Sequence, residues 1–258
     1  MSDIVIKTRN LNKIYKNGFE ALKNVNITVE SGSLNGFIGE NGAGKTTLIN
    51  ILSSLSKSSC GEVEIFGKPM EKLNNEDKLK IAYVGDEGEI FSHLKVEEFW
   101  DIIGSLYKTP KNIIKERSEE LLNLLDLREH RKKLLREFSK GMKKKAYIGA
   151  ALIHDPLLII LDEPLEGVDA VGRIDLKKVL KYLVQTGVTI FISSHDILLL
   201  EDICTHITII HKGKIKYCGE KVKLYEKYKD CSLEELFLKI VQTKKEEDYM
   251  LSWRKVNE

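Results

Sequence analysis

Apolar and polar residues alternate at 4–7 and again at 25–29, the period of two expected of half-exposed strands. LNGFIG at 34–39 is a short apolar run entering a glycine-rich loop, and TLINILSSL at 47–55 continues with helical spacing. That stretch predicts strand, loop, helix. IAYVG at 81–85 predicts another buried strand. From about 95 to 150 the pattern turns helical, and within it IIKERSEELLNLLDL (113–127) puts Ile114, Leu121, Leu122 and Leu125 on one face. LLIILD (157–162) and VTIFISS (188–194) are wholly apolar strands of the kind buried in parallel sheets. Between them RIDLKKVLKYLVQTG (173–187) predicts an amphipathic helix closed by Gly187. ITIIHKGKIKYCG (207–219) predicts a hairpin turning at Lys212-Gly213. Ser232 and Glu235 form a capping box for a short helix, and past Lys244 the charged tail is expected to be loosely held. The order predicts an α/β fold: a mostly parallel central sheet, N-terminal antiparallel strands and an inserted α-helical subdomain.

Composition narrows this picture. The chain has 258 residues with a formal net charge of +2, which suits one large domain with a subdomain and gives no basic stripe for nucleic acid. No apolar run approaches the roughly 20 residues needed to cross a bilayer, so the chain is not expected to form a membrane path alone. The N-terminus, MSDIVIKTRN, carries no apolar h-region. Cys60, Cys204, Cys218 and Cys231 lie far apart and form no CxxC pair. They predict reduced thiols of a cytosolic protein, each a small buried apolar residue.

The chemistry sits at the strand ends. Gly39, Glu40, Asn41, Gly42, Ala43, Gly44, Lys45, Thr46 and Thr47 read GENGAGKTT and fit G-x-x-x-x-G-K-T, the P-loop of an NTPase core. Glycines at 39, 42 and 44 let successive N–H groups turn inward around an anion. Lys45 can reach the β- and γ-phosphates, the Thr46 hydroxyl can ligate Mg²⁺, and the following helix aims its positive end at the phosphates. A second carboxylate is needed for the metal, and LLIILDEP supplies Asp162 at the C-terminal end of a buried strand. Glu163 follows, able to orient and deprotonate an attacking water. The plainer reading makes both simply polar residues ending a strand. His195, in ISSHD, ends the next apolar strand on the same sheet edge and points to a γ-phosphate contact.

The order GENGAGKT, FSKGMKKK, LLIILDEP, ISSHD resembles the nucleotide-binding subunits of ABC transporters over nearly the whole chain. The resemblance implies one ATPase domain over 1–230, with a core of 1–86 and 152–220, a helical subdomain of about 87–151, and a short helical tail at 231–258. It implies ATP and Mg²⁺ as cofactors. Phe138-Ser-Lys-Gly-Met142 resembles the signature loop, which acts in trans: Ser139 and the Gly141 backbone would contact the γ-phosphate held by a partner ATPase, identical or homologous. Taken alone, Ser139 would be an N-cap, with Lys143, Lys144 and Lys145 a solvated face. By the same resemblance Tyr15 stacks on adenine, or is otherwise an aromatic at a strand end. Asp169 belongs to the loop that signals across the dimer, or otherwise caps the following helix. Asp86 falls where the family usually has glutamine, a shorter and charged replacement that can still ligate magnesium, with Glu87 as a neighbour able to substitute. Lys140 and Met142 stand where glycine and glutamine are common, a variant similar to ATPases of exporter-type permeases.

The function implied is an ATPase on the cytoplasmic face of the membrane that powers a separate transmembrane permease, docked near residues 86–100, exporting a drug, antimicrobial peptide or ion. An importer ATPase is the alternative within transport. A soluble ABC ATPase acting on nucleic acid or ribosomes is the rival class, set against a modest helical insert and a single cassette. No NKxD guanine-reading motif supports a GTPase. No nucleic-acid partner is expected.

Overall fold

The computed structural model describes residues 3–85, 89–228 and 231–241. The strand at the start of the chain runs further than residues 4–7 suggest, as the eleven-residue strand β1 (Ile4–Ile14). β1 pairs with β2 (Glu20–Val25) and β3 (Thr28–Glu30), both antiparallel. The chain then enters β4 (Leu34–Ile38), the P-loop and α1 (Lys45–Leu52), and returns as β5 (Cys60–Ile65) against β1 and β6 (Lys68–Pro69) against β5. The helix read over 47–55 starts two residues earlier and ends at Leu52, because Ser54 takes a left-handed turn with φ 60°. β2 and β5 carry no strong apolar signal. They form because β1 offers each a free edge.

After α2 (Asn75–Lys78) comes β7 (Ile81–Val84), then three helices: α3 (Val96–Leu106), α4 (Lys111–Leu124) and α5 (Lys140–Leu152). The chain continues through β8 (Leu158–Asp162), α6 (Ala170–Gln185), β9 (Thr189–Ser194), α7 (Ile197–Ile203), β10 (His206–His211), β11 (Lys214–Glu220), α8 (Lys221–Lys227) and α9 (Leu233–Val241). The second sheet runs β11-β10-β4-β9-β8-β7. All its pairings are parallel except the β10–β11 hairpin, which turns at Lys212-Gly213 as its sequence predicts. The P-loop strand thus lies inside the sheet, with β9 and β10 on either side.

Strand alternation divides the core into two layers. Leu34 and Ile38, Ile159 and Leu161, and Ile190 and Ile192 face the helices on one side of the parallel sheet. Phe37, Leu158, Ile160 and Phe191 face α1 and the antiparallel sheet on the other. The period of two makes each central strand serve both cores, which is why these strands are apolar throughout.

In the helical insert, Trp100 is fully buried and its indole N–H donates to the Ala146 carbonyl at 2.8 Å, fixing α3 on α5. Arg131 donates to Glu97 at 2.9 and 2.7 Å and to Glu119 at 2.7 Å, tying α3, α4 and the segment before Ser139 together. Those two carboxylates hold the Arg131 pKa above its ordinary value. Ile114, Leu121, Leu122 and Leu125 are buried as their spacing implies.

Three readings change. Cys204 is buried, but Cys60 is exposed and Cys218 and Cys231 are half-buried, so the cysteines are free but not all core residues. Lys144 and Lys145 are 4 % and 8 % exposed, so the run after the signature loop is not a solvated face. Lys145 reaches Asp175 on α6 at 3.5 Å. The helix read over 173–187 begins at Ala170, because Asp169 accepts the Gly172 N–H at 2.9 Å and caps it three residues earlier. At the C-terminal end the Ser232–Glu235 capping box forms, and Glu201 of α7 accepts from the Leu233 N–H at 3.2 Å and the Tyr225 hydroxyl at 2.5 Å. Among the described residues no helix is long and apolar enough to cross a membrane.

Candidate active site

The P-loop curls because its glycines permit it. Gly42 and Gly44 have φ of 78° and 111°, left-handed values that other residues rarely adopt. A side chain on Gly44 would stand 2.7 Å from the Ala21 carbonyl, so this glycine is also required for space. The β10–β11 turn braces the loop from below: the Gly213 N–H donates to the Ala43 carbonyl at 2.9 Å, and His211 Nδ1 lies 3.2 Å from Glu40 Oε2. Nothing in the local sequence near residue 40 announces this brace. It exists because β10 lies beside β4.

Lys45 lies folded back over the loop. Its ammonium donates to the carbonyls of Gly39 and Glu40 at 2.6 and 3.3 Å. Burial pulls its pKa below the ordinary lysine value, while the nearby Glu163 and Asp162 carboxylates act in the opposite sense. A cavity of about 430 Å³ opens in front of it, lined by Glu40, Asn41, Gly42 and the run from Gly44 to Thr47 together with Phe19, Glu163 and His195. Thr46 is exposed to this space.

β8 and β9 deliver the acidic side. Asp162 and Ser193 are register partners at the strand ends. Glu163 follows in the left-handed region, φ 47°, which turns its carboxylate back to place Oε2 3.0 Å from His195 Nδ1 and 3.3 Å from the His195 N–H. His195 itself is exposed, and Asp196 next to it caps α7 by accepting the Leu199 N–H at 3.0 Å. Lys45, Glu163 and His195, three groups far apart in sequence, thus meet on one cavity.

Tyr15 is exposed beyond the rim, its hydroxyl 3.1 Å from Thr47 Oγ1, with the Lys13 ammonium 5.3 Å from its ring centre. Ser139, Gly141 and Asp169 do not line the cavity. Ser139 caps α5 through the Met142 N–H at 3.2 Å, and Gly141 packs beside Asp169, whose carboxylate would be 3.6 Å from a side chain there. The Gly172 N–H holds the Asp169 pKa below the usual carboxylate range. Asp86 and Glu87 lie outside the described residues. Sequence reasoning missed Phe19, an exposed aromatic at the cavity mouth, and Ser193, a polar residue at a buried strand position.

A glycine-rich loop leading from a central parallel strand into a helix, with the consecutive carboxylates Asp162 and Glu163 closing a second strand of the same sheet, marks a P-loop nucleotide-binding fold. The ABC transporter family matches residues 22–166, and the chain belongs to that family. It is 36 % identical over 212 residues to the bacitracin transport ATP-binding protein BcrA of Bacillus licheniformis, covering 82 % of this chain and 68 % of that one. It is also 36 % identical over 226 residues to an uncharacterized ABC transporter ATP-binding protein of Synechocystis, covering 83 % of this chain and 62 % of that protein, so it spans under two thirds of this relative. The structure of an ATP-binding subunit of an ABC transporter superposes with TM-score 0.83 at 26 % identity, covering 92 % of this chain and 99 % of that one. A dimeric, post-hydrolysis ATP-binding cassette bound to ADP and Pi gives 0.74 at 25 % identity, covering 83 % and 98 %.

Proposed function

We propose that this chain hydrolyses ATP with magnesium to drive a separate transmembrane permease, working as a pair of ATPase subunits on the cytoplasmic face of the membrane. One observation carries the reading: the phosphate-binding Lys45, the carboxylate of Glu163 and His195 border a single cavity, with Glu163 within 3.0 Å of His195. The loop N–H groups and Lys45 cradle the phosphates. Glu163 orients the attacking water and takes its proton, and His195 steadies the γ-phosphate.

The donor set suits magnesium. Among the described residues no cluster of three His, Cys, Asp or Glu side chains forms a closed metal cage. Thr46 and Asp162 offer two hard oxygens, and magnesium characteristically takes one or two protein oxygens together with phosphates and water. Bound there, the ion would neutralise charge on the β- and γ-phosphates. Asp86 is a third candidate by its place in the chain.

Ser139, Gly141 and Asp169 lie away from the chain's own cavity, which suits a site completed by the signature loop of a second subunit, and the dimeric cassette among the similar structures supports that reading. For the permease, two cavities of about 590 and 190 Å³ meet at Tyr83 and Tyr107 between the helical insert and the core. Phe91, Phe99 and Ile103 line the second, and Ile90 and Leu106 beside them are 75 % and 68 % exposed. An amphipathic helix of the permease fits such a face. Export of a drug, antimicrobial peptide or ion is the favoured direction, and the likeness to a bacitracin transport protein supports an antimicrobial among these cargoes.

Purification of the tagged chain from its native membranes in mild detergent tests this. An integral membrane protein should copurify, and the complex should release phosphate from ATP with magnesium. Lys45→Ala should keep the partner and lose phosphate release. Recovery of the chain without a membrane protein and without turnover would overturn the proposal.

A further inference from the structure

Asp162, Glu163 and His195 stand on two neighbouring strand ends, and one side chain joins them. Ser193 is fully buried at the end of β9, opposite Asp162. Its hydroxyl accepts the Glu163 N–H at 3.0 Å and donates to Asp162 Oδ1 at 2.5 Å. The Glu163 N–H can only donate, so the serine proton is directed to the carboxylate, and the burial leaves no water to compete for it. Two consequences follow from this one hydroxyl. One oxygen of Asp162 is engaged and the carboxylate is held against rotation. The backbone of Glu163 is also anchored where its φ of 47° would otherwise be unfavourable, and that turn is what brings its carboxylate to His195.

We propose that Ser193 is a positioning residue of the ATPase site, holding Asp162 with one oxygen free for magnesium and holding Glu163 in the turn that presents its carboxylate to water. This rests on the assignment of Asp162 to magnesium and Glu163 to the attacking water. Ser193 does not touch the nucleotide; it acts through its two neighbours. The apolar run of β9 ends in two serines, and only the parallel register with β8 aims the first at Asp162.

The test uses the full chain with Ser193→Ala, Ser193→Cys and Ser193→Thr. Cysteine keeps nearly the same volume with a much weaker donor, so it carries the same expectation as alanine if alanine fails to fold. In the nucleotide-free protein the Glu163 amide should exchange with deuterium about tenfold faster or more in Ser193→Ala and Ser193→Cys, as expected for the loss of one buried bond. Phosphate release should fall about tenfold, and the magnesium concentration for half-maximal rate should rise about fivefold, as loss of a charge-assisted bond implies. ATP binding in EDTA should stay within about twofold, since no phosphate contact changes. Ser193→Thr, which keeps the hydroxyl, should restore the magnesium requirement. Unchanged amide exchange and magnesium dependence in the alanine and cysteine variants would overturn the proposal, as would equal losses of metal-free ATP binding and turnover. Asp162→Asn and Glu163→Gln separate the two levels: full activity in these sinks the underlying assignment, whereas their inactivity beside a normal Ser193→Ala sinks the positioning role alone.

Discussion

Replacing Glu163 by glutamine removes one charge and one basic oxygen while leaving the outline of the site intact. Glutamine can still accept the His195 N–H, which Glu163 Oε2 accepts at 3.3 Å, so the turn at φ 47° should persist. What disappears is the capacity to take a proton from water. General-base catalysis contributes about 10²- to 10⁴-fold, or about 2.7–5.4 kcal/mol of barrier. The substitution also removes the larger of the two carboxylate influences that raise the Lys45 pKa against burial, which moves that pKa further down. Phosphate binding should survive, because taking a negative charge away from the cavity favours an anion. Phosphate release at saturating ATP and magnesium should therefore fall at least about a hundredfold. Binding of a fluorescent ATP analogue should stay within a few-fold, and light scattering should detect an ATP-dependent dimer that the parent forms only transiently. A turnover within about threefold of the parent, with binding intact, would refute the assignment of Glu163 as base.

Gly149 faces Trp100 so closely that an added methyl would lie 2.3 Å from Cζ2 of the indole, and Gly149→Ala should cost about 1–3 kcal/mol and lower the thermal midpoint by several degrees in a calorimeter. His154 stacks on Tyr107 with ring centres 3.7 Å apart, and burial pulls its pKa down to about 4, with Arg117 pushing the same way and Asp155 opposing. The unfolded chain takes up that proton near its ordinary value, so stability is full above about pH 6.5 and is lost as the pH falls toward 4, by up to about 3 kcal/mol. Thermal midpoints measured across that window should decline, and His154→Phe should flatten the decline; an unchanged slope would exclude His154 as its source. A thiol reagent should label exposed Cys60 in the native protein and spare Cys204, which is 2 % exposed and whose thiol pKa burial pushes up, as mass spectrometry of the peptides would reveal. Native labelling of Cys204 at a comparable rate would contradict the packing of α7 on β4.

Much of the fold is legible wherever a periodic run is long and its neighbours are forced. β8 and β9 are continuous apolar runs because each side faces a core, and their sequences say so. The hairpin at Lys212-Gly213 and the capping boxes are equally local, since a few backbone groups within one turn decide them. Element limits were less legible. α6 starts at Ala170 rather than Arg173 because the Asp169 cap, not the apolar pattern, sets its first turn. β2 and β5 are weakly patterned and become strands through pairing with β1. The lysine run after Ser139 looks solvated in sequence, yet Lys144 and Lys145 are covered by packing that no local pattern records.

The sequence by itself determined the chemistry available: a glycine loop that must curl, a lysine and a threonine at its end, and acidic and imidazole groups at the close of apolar strands. These follow from conformational freedom and side-chain type, which are properties of each residue and its near neighbours. Only the tertiary structure decided which of these groups meet. The strand order puts β9 between β4 and β8, so Ser193 faces Asp162, Glu163 turns toward His195, and Lys45 shares their cavity. That ordering arises from burying both faces of one twisted sheet at once, a condition on the whole chain that no short stretch of it can express.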